Sequence, residues 1–333
     1  MSPTPPVLAL PGTSEQLSAR LHRGLAEVDL RLLREIDHED PFIAAASVHL
    51  TVAGGKRFRP LLTLLAAELG SGVNEQVIAA AAGVELTHLA SLYHDDVMDE
   101  AQVRRGAPSA NATYDNSVAI LVGDLLFGTA SAIIADLGAE AVKIQAQTFV
   151  RLCSGQIRDD RSPAPGVDPV DYYLGVLADK TGVLIATAAR YGAMFSGCPP
   201  ETVEIMREYG ERLGMAFQLA DDLIDISSDL EATGKVPGTD LREGKMTLPV
   251  LYALASDDPG DTRLHQLLRS DLRDDTLLAE ALGLLRAHPA LARARERTHA
   301  VARQAQDALA SLPDSEAKAA LLALTTSVVT RVG

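Results

Sequence analysis

The sequence predicts an all-α fold, a single large helical bundle, on three observations. Apolar residues recur at spacings of three and four over long stretches, alternating β-branched runs are scarce, and Ala and Leu abound. That is the pattern of buried helices rather than strands. The chain has 333 residues, 47% of them hydrophobic, so it can bury a large core. Length alone would suggest two domains. The uniform helical pattern predicts one, residues 13–333, behind a Pro-rich tail at 1–12.

Thr13-Ser14-Glu15-Gln16 has the form of a capping box and opens a helix running to about Ile36. Further helices are predicted near 40–52, 58–69, 74–98, 111–137, 140–157, 168–190 and 200–228. The most apolar stretch, Val118 to Ala135, is interrupted by Asp124 and reads as a buried core helix rather than a membrane span. From Glu231 to Lys245 the character changes. Gly234, Pro237, Gly238 and Gly244 among charged residues predict a mobile loop suited to act as a lid. Thr247 and Pro249 start another helix, Asp257-Asp258-Pro259-Gly260 is a break, and the Arg- and Ala-rich remainder to Val332 reads as helical scaffold.

A formal charge of -15 argues against nucleic acid as a partner, because backbone binding needs a basic face. An anionic substrate requires metal ions or a local basic cluster to reverse the field. Cys153 and Cys198 have no ligand-like spacing, so neither a disulfide framework nor a zinc site is expected. The tail lacks the basic start and cleavage site of a signal peptide. The expectation is a reduced, cytoplasmic protein without a membrane span.

Two copies of one acidic pattern stand out, Asp95-Asp96-Val97-Met98-Asp99 and Asp221-Asp222-Leu223-Ile224-Asp225, both embedded in apolar sequence. Residues four apart share a helix face with Cβ atoms roughly 5–6 Å apart, so Asp95 pairs with Asp99 and Asp221 with Asp225. Carboxylates clustered against an apolar interior must be protonated, paired with cations or loaded with metal. All-oxygen donors suit a hard ion such as Mg²⁺, which takes one or two carboxylates and completes its shell with water and phosphate. A single copy could be a solvated acidic face. Two copies inside hydrophobic helices argue against that.

His88 lies seven residues before Asp95 on the same face, and Arg104-Arg105-Gly106 follows the first motif. Gln218 precedes Asp221 by three. Gly54-Gly55-Lys56-Arg57-Phe58-Arg59-Pro60 places Lys56 and Arg59 at a helix start, where amides and cations could hold an anion. Lys180-Thr181, Lys235 and Lys245 add positive charge. Two acidic motifs with two basic clusters imply two phosphorylated groups, one held through metal and one directly by cations. A P-loop fails: Gly238 to Gly244-Lys245 has one residue too many and continues with Met246. Glu85-x-x-His88 and Glu296-x-x-His299 have the form used by di-iron bundles, but that reading leaves the aspartates unexplained.

Together these residues resemble the trans-isoprenyl diphosphate synthase (polyprenyl synthetase) family. The resemblance runs in order through GGKRFRP, ELTHLASLYHDDVMDEAQVRRG, GDLLF, KTG, FQLADDLID and GKVPGTDLREGKMTLP. It implies an all-α fold around a deep central cavity, a homodimer, and two or three Mg²⁺ ions. By motif, Gly55, Lys56, Arg59, His88 and Arg105 would bind isopentenyl diphosphate. Arg104, Lys180, Thr181, Gln218, Lys235 and Lys245 would serve the allylic diphosphate. Asp95, Asp99 and Asp221 would ligate the metal, with Asp96, Asp222 and Asp225 behind them, supporting the ligands or reaching the metal through water. Of these, Asp95, Asp99, Arg104, Lys180, Gln218, Asp221 and Lys235 would carry catalysis, a head-to-tail 1′-4 condensation through an allylic carbocation in a water-poor cavity.

Product length is expected to follow the space beneath the first motif, where Ala90, Ser91 and Thr87 are all small. Short-chain members of the family tend to carry a bulky aromatic where this chain has Ala90, so a long product, about C30 to C50, is predicted, with C20 as the alternative. Tyr93 and Phe127 are candidates for a floor. A non-catalytic regulatory subunit is the reading from another class. A terpene cyclase would not need the isopentenyl site at Lys56, Arg59 and His88.

Overall fold

A computed structural model describes residues 13–227 and 237–330. It is all-α but for one two-residue hairpin, Val103–Arg104 with Ala107–Pro108. The helices are α1 (Glu15–Glu35), α2 (Pro41–Val52), α3 (Phe58–Ala67), α4 (Glu75–Met98), α5 (Ala110–Tyr114), α6 (Asn116–Ala135) and α7 (Ala139–Asp159). Then follow α8 (Pro169–Leu177), a π turn (Ala178–Gly182), α9 (Val183–Phe195) and α10 (Pro200–Ser227). Past the undescribed residues come α11 (Thr239–Arg242), α12 (Leu248–Leu254), α13 (Thr262–Leu268), α14 (Asp275–Ala287), α15 (Pro289–Ala308) and α16 (Glu316–Val329).

The chain divides into two compact units interleaved in sequence. One comprises the residues up to Val150 with Leu184–Gly210 and Ser311–Ala323; the other comprises Arg151–Val183, Glu211–Ala310 and the end from Leu324.

In the first unit α1 starts as its sequence requires. Ser14 Oγ accepts the Leu17 amide at 3.1 Å. The reciprocal half of the capping box comes from far along the chain, since the Ser14 amide donates to Glu316 Oε1 at 2.7 Å. Leu17, Leu21, Leu25, Val28 and Leu32 form its buried stripe, each worth on the order of 1.5–3 kcal/mol of transfer free energy before entropy. α4 is buried along most of its length. Tyr93, Tyr191 and Tyr209 are fully buried, and their hydroxyls donate to Ala46 O, Ala141 O and Leu321 O on other helices. A buried phenol needs such a partner.

The predicted helix 111–137 is two helices. Asp115 adopts φ 77 and its side chain caps α6 through the Val118 amide, which breaks the run. α6 is the one described helix long and apolar enough to cross a membrane, and 39% of its apolar window is buried. Only one face is covered, at Ala119, Val122, Leu126, Ala130 and Ile133, so the expected buried core helix is half-covered here.

In the second unit Leu213, Leu219, Leu223 and Ile226 of α10 belong to the buried core, with Leu278, Leu282 and Leu285 of α14 and Leu291 and Val301 of α15. Arg286 Nε donates to Ile226 O at 2.7 Å and satisfies a terminal carbonyl of α10. The predicted helix 168–190 carries the π turn at its middle, a feature without periodic signature in sequence.

Candidate active site

The first acidic motif closes α4. Asp95 and Asp96 lie in the last turn and Asp99 is the C-cap, its amide donating to Asp95 O at 2.8 Å. Asp95 is half-buried and Asp99 exposed, one turn apart as their spacing requires. Asp96 differs. It is fully buried, taking Arg104 Nε on Oδ1 at 2.6 Å and the Ala110 amide on Oδ2 at 3.1 Å. Arg104 also reaches Asp99 at 3.9 Å. Asp96 therefore ties the hairpin and α5 to the turn that carries Asp95 and Asp99, and Arg104 is paired with the motif's own carboxylates.

A cationic cluster lies in the same unit. Arg57 is buried and pairs with Asp29 at 2.8 Å and Glu85 at 3.1 Å, its Nη2 donating to Thr51 O. This occupies Glu85, so the di-iron reading loses its first acid, and Glu296 is exposed. Arg57 and Arg105 hold left-handed φ of 47 and 55, a strained backbone that clusters at functional sites. Arg105 Nη1 donates to Leu50 O at 3.1 Å and to Gly54 O. Gly55 has φ +150, and a Cβ there would sit 2.9 Å from Arg105 Nη1, so only glycine lets that guanidinium lie over the loop.

Arg59 Nε is buried without a hydrogen-bond partner. Burial, together with the Arg105 charge, lowers the Arg59 pKa to about 10 against the pull of Glu85. Burial, then Arg59 and Arg105, holds His88 well below the usual imidazole range, so it is neutral at pH 7. Lys56 is exposed at the rim.

Beneath the motif Ala90 and Thr87 are buried and Ser91 is half-buried. Ser91 Oγ donates to His88 O at 2.8 Å and Thr87 Oγ1 to Gly83 O at 2.9 Å. Both hydroxyls are spent on their own helix, which leaves that face apolar in effect. Tyr93 is bonded toward α2 and is structural; Phe127 stacks on Phe149 with centroids 3.8 Å apart.

The second motif lies within α10 in the second unit, with Asp221 half-buried. Buried Asp222 accepts Tyr173 Oη and Gln218 Nε2, and Thr181 Oγ1 donates to Gln218 Oε1 at 3.3 Å. Asp225 takes the Thr239 amide at 3.1 Å and the Asp240 amide at 3.0 Å, while its carbonyl takes the Gly238 amide at 2.9 Å. The aspartates expected behind the metal thus grip protein: Asp222 orients Gln218, and Asp225 holds the segment after the undescribed residues. Lys180 and Lys245 both reach Asp159. Lys235 and the first part of the predicted lid, residues 231–236, fall outside the described residues, and the remainder, 237–245, carries the short helix α11 where a loop was predicted.

Burial, then Asp221 and Asp159, raises Asp222 to about 6 against the bonds from Tyr173 and Gln218. Burial with Asp222, Asp225 and Glu243 raises Asp240 to about 8. Such crowding favours a cation. Among the described residues no three His, Cys, Asp or Glu side chains converge as a preformed metal centre. Arg57, Tyr173, Asp159 and Asp240 had no assigned role in sequence. Arg57 lay inside a quoted motif, and Asp159-Asp160 at a helix C-terminus was a detectable anomaly.

Acid-rich helical turns with basic clusters on an all-α frame define a prenyltransferase of the isoprenoid-synthase kind. The chain belongs to the polyprenyl synthetase family, whose pattern matches residues 40–285. It is 49% identical over 317 residues to nonaprenyl diphosphate synthase of Mycobacterium tuberculosis, covering 95% of each chain. It also resembles geranylgeranyl pyrophosphate synthase from Corynebacterium glutamicum, solved with calcium and isoprenyl diphosphate. That match has 44% identity and a TM-score of 0.87 over 96% of this chain and 98% of that one. A decaprenyl diphosphate synthase from Rhodobacter capsulatus matches with 33% identity and a TM-score of 0.86 over 96% and 99%.

Proposed function

We propose that this chain condenses isopentenyl diphosphate with an allylic diphosphate, head to tail, and extends it to an all-trans polyprenyl diphosphate of about C30 to C50 inside an apolar cavity. One observation carries the reading: half-buried Arg59, whose Nε is buried without a partner, lies beside Arg105 and neutral His88 and so favours an anion. A diphosphate supplies one.

In this reading Lys56, Arg59, Arg105 and His88 bind and orient the diphosphate of isopentenyl diphosphate, so that its double bond is presented to the allylic carbon. Lys180, Lys245, Thr181 and Gln218 bind the allylic diphosphate. Asp95, Asp99 and Asp221 would hold two or three Mg²⁺ ions, which neutralise charge on the departing diphosphate. Asp96, Asp222 and Asp225 keep those groups in place. Small Ala90 and the self-bonded Ser91 and Thr87 leave room for a growing chain. Similarity to the nonaprenyl and decaprenyl synthases supports a long product, and similarity to the geranylgeranyl synthase keeps C20 as the alternative.

The active form is a homodimer. Ile120, Leu121 and Leu125 on α6 and Val142 and Val150 on α7 are exposed, Leu121 at 66% and Val150 at 65%. A patch of this kind calls for a partner surface. Radiolabelled turnover by the wild-type chain and Asp221→Asn tests the assignment: Mg²⁺-dependent incorporation into prenyl product is expected from the wild type and loss of at least about a hundredfold from the variant. Equal turnover by both would overturn the metal assignment.

A further inference from the structure

Asp159 is the last residue of α7 and Asp160 follows it. A carboxylate is disfavoured there, because the helix C-terminus already carries partial negative charge. Two lysines from distant parts of the second unit offset it. Lys180 Nζ, from the π turn, donates to Asp159 Oδ2 at 2.8 Å. Lys245 Nζ, from the stretch between α11 and α12, donates to the same oxygen at 3.3 Å and to Asp160 Oδ1 at 2.8 Å. The two ammonium nitrogens are therefore no further apart than the sum of their distances to that oxygen. Two like charges so close repel and stay together only around an anion.

The backbone carrying Lys180 is fixed by the same helix. A Cβ at Gly155, one turn before Asp159, would lie 2.5 Å from Lys180 N and 2.8 Å from Asp179 C. Asp179 is clamped by Arg151 Nε at 2.8 Å and Arg158 Nη1 at 3.0 Å. One end of α7 thus sets both the backbone of the π turn and the ammonium it presents.

We propose that Asp159 is a positioning residue that holds Lys180 and Lys245 together as one paired cation, assembled before the allylic diphosphate arrives and spanned by its oxygens once it has. This rests on the reading of those lysines as diphosphate ligands.

The test measures Asp159→Asn and Asp159→Glu by steady-state kinetics and by calorimetric binding of inorganic pyrophosphate with Mg²⁺. Asp159→Asn is expected to raise KM for the allylic substrate and weaken pyrophosphate binding about tenfold, with kcat changed less. KM for isopentenyl diphosphate stays fixed, which also reports that the variant is folded, and Asp159→Glu recovers most of the loss. If Asp159→Asn does not fold, Asp159→Glu is read alone, with an intermediate allylic KM expected. An unchanged or tighter allylic site, or an equal rise in both KM values, overturns the proposal. A wild type that binds pyrophosphate with this dependence on Asp159 yet forms no product upholds the pairing and overturns the catalytic reading instead.

Discussion

Arg104 donates its Nε to Asp96 Oδ1 at 2.6 Å, and the aspartate so bound is fully buried while the arginine remains a quarter exposed. The carboxylate's other oxygen holds the Ala110 amide, so one ion pair fastens the hairpin and α5 to the turn that carries Asp95 and Asp99. Removing the arginine leaves a buried charge without its counter-ion. Arg104→Ala should lower unfolding free energy by about 3 kcal/mol in urea titration, and adding Asp96→Asn to it should cost less than the two single losses combined. Strict additivity would contradict the coupling.

Gly55→Ala tests the loop over the cationic cluster. A methyl at that position meets Arg105 Nη1 at 2.9 Å on a backbone with φ +150. KM for isopentenyl diphosphate should rise about tenfold with the allylic KM unchanged, the signature of a displaced supporting contact. A rise in the allylic KM alone would assign the cluster to the other substrate.

Asp222 and Asp240 give the ligand-free protein a pH signature. Both folded-state pKa values lie above the ordinary 3.8, near 6 and 8. Between those limits the folded state binds more protons than the unfolded chain, so their contribution falls as pH rises from about 4 to about 8 and is level above. Melting temperature should follow that decline. Mg²⁺ with pyrophosphate should flatten it by favouring the ionised carboxylates, and an unaltered slope would place the cations elsewhere.

Leu121→Lys on the exposed face of α6 should convert a dimer to a monomer in sedimentation analysis, because the patch is apolar and the charge would be buried on association. A dimer of undiminished affinity would move the interface off α6 and α7.

The helices were legible because burial imposes a spacing of three and four, which α1 keeps at Leu17, Leu21, Leu25, Val28 and Leu32, whereas α4 is buried on every face from Val77 to Thr87 and was legible as a long Ala-rich apolar run. The paired aspartates were legible for the same reason, since one helical turn links Asp95 to Asp99. Their division of labour was not. Whether a carboxylate faces a cation or a peptide amide depends on partners such as Arg104, Tyr173 and Thr239, brought in by tertiary folding. The break at Asp115 was hidden because one left-handed residue ends a helix without altering its periodicity. The pairing of Asp159 was hidden because its lysines lie 21 and 86 residues further along the chain.

Ala90→Phe examines the product-length reading. Ala90 is fully buried, so an aromatic there either enters the cavity or strains the core by about 1–3 kcal/mol. Products shorter by one or more five-carbon units, with the protein still folded, are expected. Unchanged length would move the gate to another helix.

The most direct measurement incubates the purified chain, alone and with Mg²⁺, isopentenyl diphosphate and allylic primers of graded length, and sizes the products, with a chelator control. The account predicts Mg²⁺-dependent all-trans products centred on about C30 to C50, in keeping with the small side chains of Ala90, Ser91 and Thr87 before the first motif. Products that stop at C20 would contradict the length assignment. No product from the chain by itself would contradict the catalytic one.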